Sequence, residues 1–264
     1  MEFDLFPNKK PFHLFLGLKI LRPVTIKITV YDPLTKRVYG QRLLKLSKSL
    51  NLLMKMPIVP DELTARIVSK EETPGRDSFR LESIEVKPDT ICPLELSEND
   101  CKFIAFVKWF ATELPRLEAG SKGTIYQSEG FSILYLDQLK EGETELTTPA
   151  RIDRGSGMIE ISKKAIADYT VPMLMIMLLH EYSHKWKNPE YGKEVANELT
   201  ADIIAVHIAL NLGFDFTEVE NCYRAVFAKK DTELNRKRMK AISEFIQLFR
   251  TNESKRCKSR NYAS

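Results

Sequence analysis

Hydrophobic and polar residues alternate strictly along Val24-Thr25-Ile26-Lys27-Ile28-Thr29-Val30-Tyr31, the period-two pattern of a half-buried strand. Asp32-Pro33 ends this run as a turn. Residues 12–20, 37–46, 51–56, 63–69 and 78–86 read as further strands, and Glu72-Thr73-Pro74-Gly75-Arg76 reads as a turn. Short strands separated by Pro, Gly and Asp predict a small antiparallel sandwich over residues 1–96. It holds no cluster that carries chemistry, and its His13 reads as a strand residue. A domain of this kind positions or attaches its neighbour.

Past residues 88–93, which read as a joint, the period changes to three and four. Ser97 predicts a helix cap with Asp100 at the capping-box position. Phe103, Phe106, Val107, Phe110 and Leu114 form one stripe, which Pro115 and Gly120 end. Residues 125–126 and 131–136 read as strands. The turn-rich stretch 151–157 leads into a short alternating strand, Met158-Ile159-Glu160-Ile161-Ser162. The apolar run Val171 to Leu179 enters a helix with Pro172 in its first turn. At nine residues it is a core helix, too short to span a bilayer, and its methionines serve as core filler. Apolar spacing over 193–210, stopped by Asn211-Leu212-Gly213, predicts a second helix, and 217–229 and 232–250 predict two more. The expected fold class is α+β: an N-terminal antiparallel β-sandwich (1–96), then a domain (97–264) with a mostly helical C-terminal lobe.

A hydrophobic content of 43% in 264 residues supports a real core. Cys92, Cys101, Cys222 and Cys257 show no CxxC and no regular spacing, so they read as reduced thiols. Met1-Glu2-Phe3-Asp4-Leu5-Phe6 lacks the basic, apolar and small-residue order of a signal peptide, which makes synthesis in a cytoplasm the expectation. No membrane partner is expected. The net charge of +4 is uneven: Lys229 to Ser264 carries eleven Lys or Arg against four Asp or Glu. That stretch reads as a solvated helix face and a frayed tail, or as a contact for DNA phosphates or an acidic protein surface.

The densest chemistry lies in His180-Glu181-Tyr182-Ser183-His184, an HExxH motif in a chain with 4 histidines in all. Imidazoles four apart share a helical face and reach one metal ion, while the intervening glutamate sits aside, placed to deprotonate a water. Fourteen residues past His184, Glu198 opens Glu-Leu-Thr-Ala-Asp, with Ala201 and Asp202 on its own helical face. Its carboxylate completes a His₂Glu set and leaves one tetrahedral position open for water, and Asp202 is placed to accept the other N–H of a ligand imidazole. His207 is the rival third ligand, but nine residues past Glu198 it lies half a revolution away and reads as a packing residue.

HExxH followed by Glu-x-x-Ala-Asp resembles the gluzincin branch of zinc metallopeptidases, in particular its minimal phage- or bacterium-encoded members. The resemblance covers about residues 120–212 and implies a zincin-like domain. By it, Zn²⁺ is held by His180, His184 and Glu198, Glu181 is the general base, and a peptide or protein is the substrate. It also implies that the strand at 158–162, just before the metal helix, is a sheet edge to which substrate adds. For the oxyanion donor, Tyr191, Tyr223, Arg236 and Arg238 all stay open. The pairing of a sandwich with a phage-type zincin domain also resembles a neck or collar ring component of a tailed virion of the crAss-like group. That resemblance implies a homo-oligomeric ring among virion proteins, near packaged DNA, in place of an enzyme acting in the host cytoplasm.

Overall fold

The computed structural model of the chain describes residues 1–70, 78–89, 96–187 and 195–261, and the side chains of all of these but 195–197 and 253–261. The expected turn at 72–76 and most of the 88–93 joint lie outside the described residues. The fold is α+β: antiparallel sheets first, then a mixed sheet and a helical C-terminal region. Two compact units emerge, one of Met1–Leu117 with Asp168–Met175 and Asn211–Glu218, the other of Glu118–Ala167 with Ile176–Leu210 and Val219–Ser264.

In the first unit, β1 (Glu2–Leu5), β6 (Leu63–Ser69), β3 (Val24–Tyr31) and β4 (Val38–Leu46) form one sheet in that order. A second sheet runs β5 (Leu50–Met56), β2 (Phe12–Ile20) and β7 (Phe79–Pro88). The alternation read from the sequence decides which face is buried: Val24, Ile26, Ile28 and Val30 point inward from β3, and Leu14 and Leu16 from β2. A Cβ on Gly40 of β4 would lie 3.1 Å from Met54 Cε and 3.3 Å from Met56 Sδ of β5, so the sheets pack face to face there. β1 was not foreseen, since four residues offer little periodicity; pairing with β6 makes it a strand. Helix α1 (Glu98–Glu113) begins with the expected capping box. Asp100 N donates to Ser97 Oγ at 3.2 Å and Ser97 N donates to Asp100 Oδ2 at 3.1 Å. One turn of 3₁₀-helix (Leu114–Arg116) closes it where Pro115 denies a further helical bond.

The second unit is built on a mixed sheet of order β12 (Ala150–Ile152), β13 (Ile159–Ser162), β9 (Phe131–Leu136) and β8 (Thr124–Ser128), with a small hairpin of β10 (Lys140–Glu141) and β11 (Thr144–Glu145). β13 runs parallel to β9 and antiparallel to β12. The strand expected at the sheet edge is therefore interior, and Ala150–Ile152, whose last two residues open the stretch read as a turn-rich lead, forms the edge instead. Asp153–Gly157 is the hairpin turn between them, closed by Gly157 N donating to Asp153 O at 2.7 Å.

Four helices follow: α2 (Val171–Tyr182), α3 (Val195–Asn211), α4 (Phe216–Phe227) and α5 (Glu233–Asn261). α2 is apolar on every side and carries buried residues throughout, as a core helix must. α5 continues through Asn261, so the stretch read as a frayed basic tail is helical for most of its length. Among the described residues, no helix is long and apolar enough to cross a membrane.

Candidate metal centre

The HExxH motif straddles a change of helix type. α2 ends at Tyr182, and Ser183–Lys187 is a π-helical turn. Ser183 Oγ donates to the Leu179 carbonyl at 2.7 Å, competing for the acceptor that the Ser183 backbone N–H takes in a regular helix. Trp186, at the end of the widened turn, stacks on Tyr182 with ring centroids 5.2 Å apart and meets the Phe131 ring edge-on at 5.2 Å.

His180, His184 and Glu198 converge, with one ligand atom from each lying within 4.8 Å of the others. The two Nε2 atoms are 3.1 Å apart. Glu198 Oε2 lies 3.5 Å from His180 Nε2, and Glu198 Oε1 lies 3.4 Å from His184 Nε2. A tetrahedral zinc with bonds of 2.0–2.1 Å places its ligand atoms about 3.3 Å apart, so this triangle fits the ion. Two ring nitrogens so close repel unless a proton or a cation lies between them. Both histidines are 5% exposed, while the Glu198 side chain is partly open to solvent. Among the described residues, no other set of His, Cys, Asp or Glu was found with this geometry.

A second layer of charge fixes the triangle. Asp202, fully buried on α3 one turn beyond Glu198, puts Oδ1 2.9 Å from His180 Nδ1. Arg238 of α5 donates from Nε to Asp202 Oδ2 at 2.6 Å and from Nη2 to Oδ1 at 2.9 Å, and also reaches Glu198 Oε2 at 3.2 Å. Tyr223 Oη donates to the Asp202 backbone carbonyl at 3.3 Å. Arg154 Nη2 comes within 3.4 Å of His184 Nδ1.

These neighbours set the acidities. Burial lowers the affinity of His180 for a proton, but the Asp202 and Glu198 carboxylates outweigh it and lift the group to about 10. Burial pushes the Glu181 carboxyl up to about 7, with nearby His180 opposing. Glu198 moves the other way: burial raises it, and His180, His184 and Arg238 more than reverse this, to about 2. At neutral pH Glu198 is thus an anion facing a protonated His180, and Glu181 is poised to take or release a proton.

The other expected residues separate. Of the oxyanion candidates, Arg238 is spent on Asp202 and Glu198, and Tyr223 is buried with its hydroxyl on the Asp202 carbonyl. Arg236 pairs at 2.7 Å with exposed Asp231, and Tyr191 lies outside the described residues. His207 meets Phe245 and Phe249 edge-on and takes no part in the metal group. Sequence reasoning missed Arg154, hidden in a stretch that read as a turn, and missed that Arg238 is a partner of Asp202, since nothing in spacing links α3 to α5.

A comparison of the chain with protein-family models, with curated proteins and with solved structures finds no match. The likeness to gluzincins is therefore carried by HExxH and Glu-x-x-Ala-Asp alone.

Proposed function

We propose that the protein is a zinc-dependent peptidase of gluzincin type, with His180, His184 and Glu198 as the ligands and Glu181 as the general base. The observation that carries this reading is the triangle of donor atoms 3.1, 3.4 and 3.5 Å apart, with a carboxyl of acidity about 7 one residue from His180. Bound there, Zn²⁺ supplies a Lewis acid that polarises the scissile carbonyl and brings the acidity of a water near neutrality. Glu181 accepts the proton of the attacking water and passes it to the leaving amine. Asp202 holds the His180 ring through Nδ1, which keeps Nε2 turned inward. Arg238 balances the charge of both carboxylates.

Metal analysis of the purified protein should give about one zinc per chain. Glu181→Gln should keep that zinc and abolish peptide cleavage. Zinc retained with no cleavage by the wild type would overturn the peptidase reading and leave the metal a structural part, as an assembly component of a virion ring would use it.

A further inference from the structure

The outer face of the sheet β1-β6-β3-β4 is basic. On β3 that face carries Thr25, Lys27, Thr29 and Tyr31, the polar half of an alternation whose apolar half is buried. Antiparallel pairing sets Lys45 of β4 opposite Thr25 and Leu43 opposite Lys27. On the other side, Val68 of β6 stands opposite Lys27 and Arg66 opposite Thr29. An open cleft of about 460 Å³ lies here, lined by Lys27, Tyr31, Lys36 and Arg66 among others. Arg66 is already balanced, since its guanidinium pairs with Glu2 of β1 and lies over the Tyr31 ring at 5.5 Å. Lys27, Lys36 and Lys45 meet no acid among the described residues.

Lys36 stands in a strained backbone position. It belongs to the turn between β3 and β4 and has φ +61°, in the left-handed region that glycine occupies most easily. Asp32 holds the turn: its Oδ1 accepts from Leu34 N at 2.7 Å and its carbonyl from Lys36 N at 2.9 Å. A lysine where glycine is easier keeps an ammonium over the cleft, 5.5 Å from the Tyr31 ring.

Two features decide what fits. Tyr31 is the one aromatic of the lining and already carries two cations, so it is unsuited to stack a nucleic-acid base. Leu43 is 54% exposed and Val68 39% exposed, apolar surface that a sugar-phosphate chain leaves uncovered. A polypeptide with carboxylates between apolar side chains answers both.

We propose that this face docks an acidic, aliphatic segment of a partner protein. Its carboxylates meet Lys27, Lys36 and Lys45, and its apolar side chains cover Leu43 and Val68. Charge complementarity of this kind selects the partner and speeds its approach.

The test is fluorescence anisotropy with the full chain and a short labelled peptide that carries glutamates between leucines. Its glutamine counterpart and a labelled single-stranded oligonucleotide serve as comparisons. Glutamate should be preferred over glutamine about tenfold at low salt, and Lys27→Gln combined with Lys36→Gln should remove that preference. Leu43→Ser should weaken both peptides alike. Lys36→Gly should weaken the glutamate peptide without lowering the melting temperature, because glycine relieves the turn. Lys240→Gln, which does not line the cleft, should change nothing, and zinc content should stay constant throughout. Equal binding of the two peptides, or a glutamate preference that survives the double lysine variant, overturns the proposal. Cleft variants that lose the oligonucleotide and keep the peptide overturn it in favour of nucleic acid. Self-association abolished by the same variants overturns it in favour of a second copy of the chain.

Discussion

Asp202 Oδ1 stands 2.9 Å from His180 Nδ1, with the carboxylate wholly buried and its far side taken by Arg238. A histidine that binds metal through one nitrogen needs an acceptor at the other, and partners of this kind are worth about 10–100-fold in metal affinity. Asp202→Asn should therefore weaken zinc binding by that order in a chelator competition. Unchanged affinity would mean the contact does not orient the ring.

Arg238 answers two carboxylates at once. Removing one partner of a buried ion pair costs about 3–5 kcal/mol, because the charge left behind has lost both water and counter-charge. Arg238→Met should lower the melting temperature accordingly, and added zinc should recover part of the loss by neutralising Glu198. A variant as stable as the wild type would show that solvent already screens this cluster.

Acidity and metal loading should be linked. In the metal-free protein, burial holds Glu181 at about 7 against a usual 4.5, so folding loses stability as pH climbs through that interval. The carboxylates around His180 overcome its burial and raise it from 6.5 to about 10, so the stability it adds below 6.5 drains away as pH rises toward 10. Glu198 is held at about 2, so its contribution is lost only in acid below 4.5. Between about pH 5 and 9 the metal-free protein should thus melt at falling temperature. Zinc must displace the His180 proton, so the gain in melting temperature on adding zinc should grow over the same range. Melting curves with zinc and with chelator test both slopes; a zinc gain that shrinks with pH contradicts the assignment.

The first unit contains its own buried charge cluster. Arg42 of β4 is 4% exposed and meets Asp215 at 2.7 Å and Glu218 at 2.6 Å. Burial raises the Glu218 carboxyl despite Arg42. Arg42→Met should destabilise the protein by about 3–5 kcal/mol, read as a shift in denaturant midpoint, with zinc stoichiometry untouched. A shift below about 1 kcal/mol would place this cluster among ordinary surface pairs.

What the sequence revealed depended on the range of the force involved. β3 was legible to the residue because burial of Val24, Ile26, Ile28 and Val30 on one face writes a period of two into the chain. The candidate triad was legible because HExxH and Glu-x-x-Ala-Asp carry metal-ligating residue types at helical spacing, although His184 falls in the π-turn beyond α2. Arg238 and Arg154 were not, since charge partners on separate elements leave no periodic trace. The interior place of β13 was equally hidden, because three residues at 150–152 become a strand only through pairing with it. The π-turn at Ser183–Lys187 left no periodic mark either.

The shortness of β12 limits how a guest chain can be gripped. A peptide laid along that rim finds Ala150–Ile152 and then the bend of the hairpin, room for about two main-chain bonds before the ladder runs out. Zippering of backbones therefore contributes little to affinity on that side. Under the peptidase reading, discrimination among polypeptides would fall to what projects from them, and a short, floppy guest would gain less there than one already held straight by its own fold.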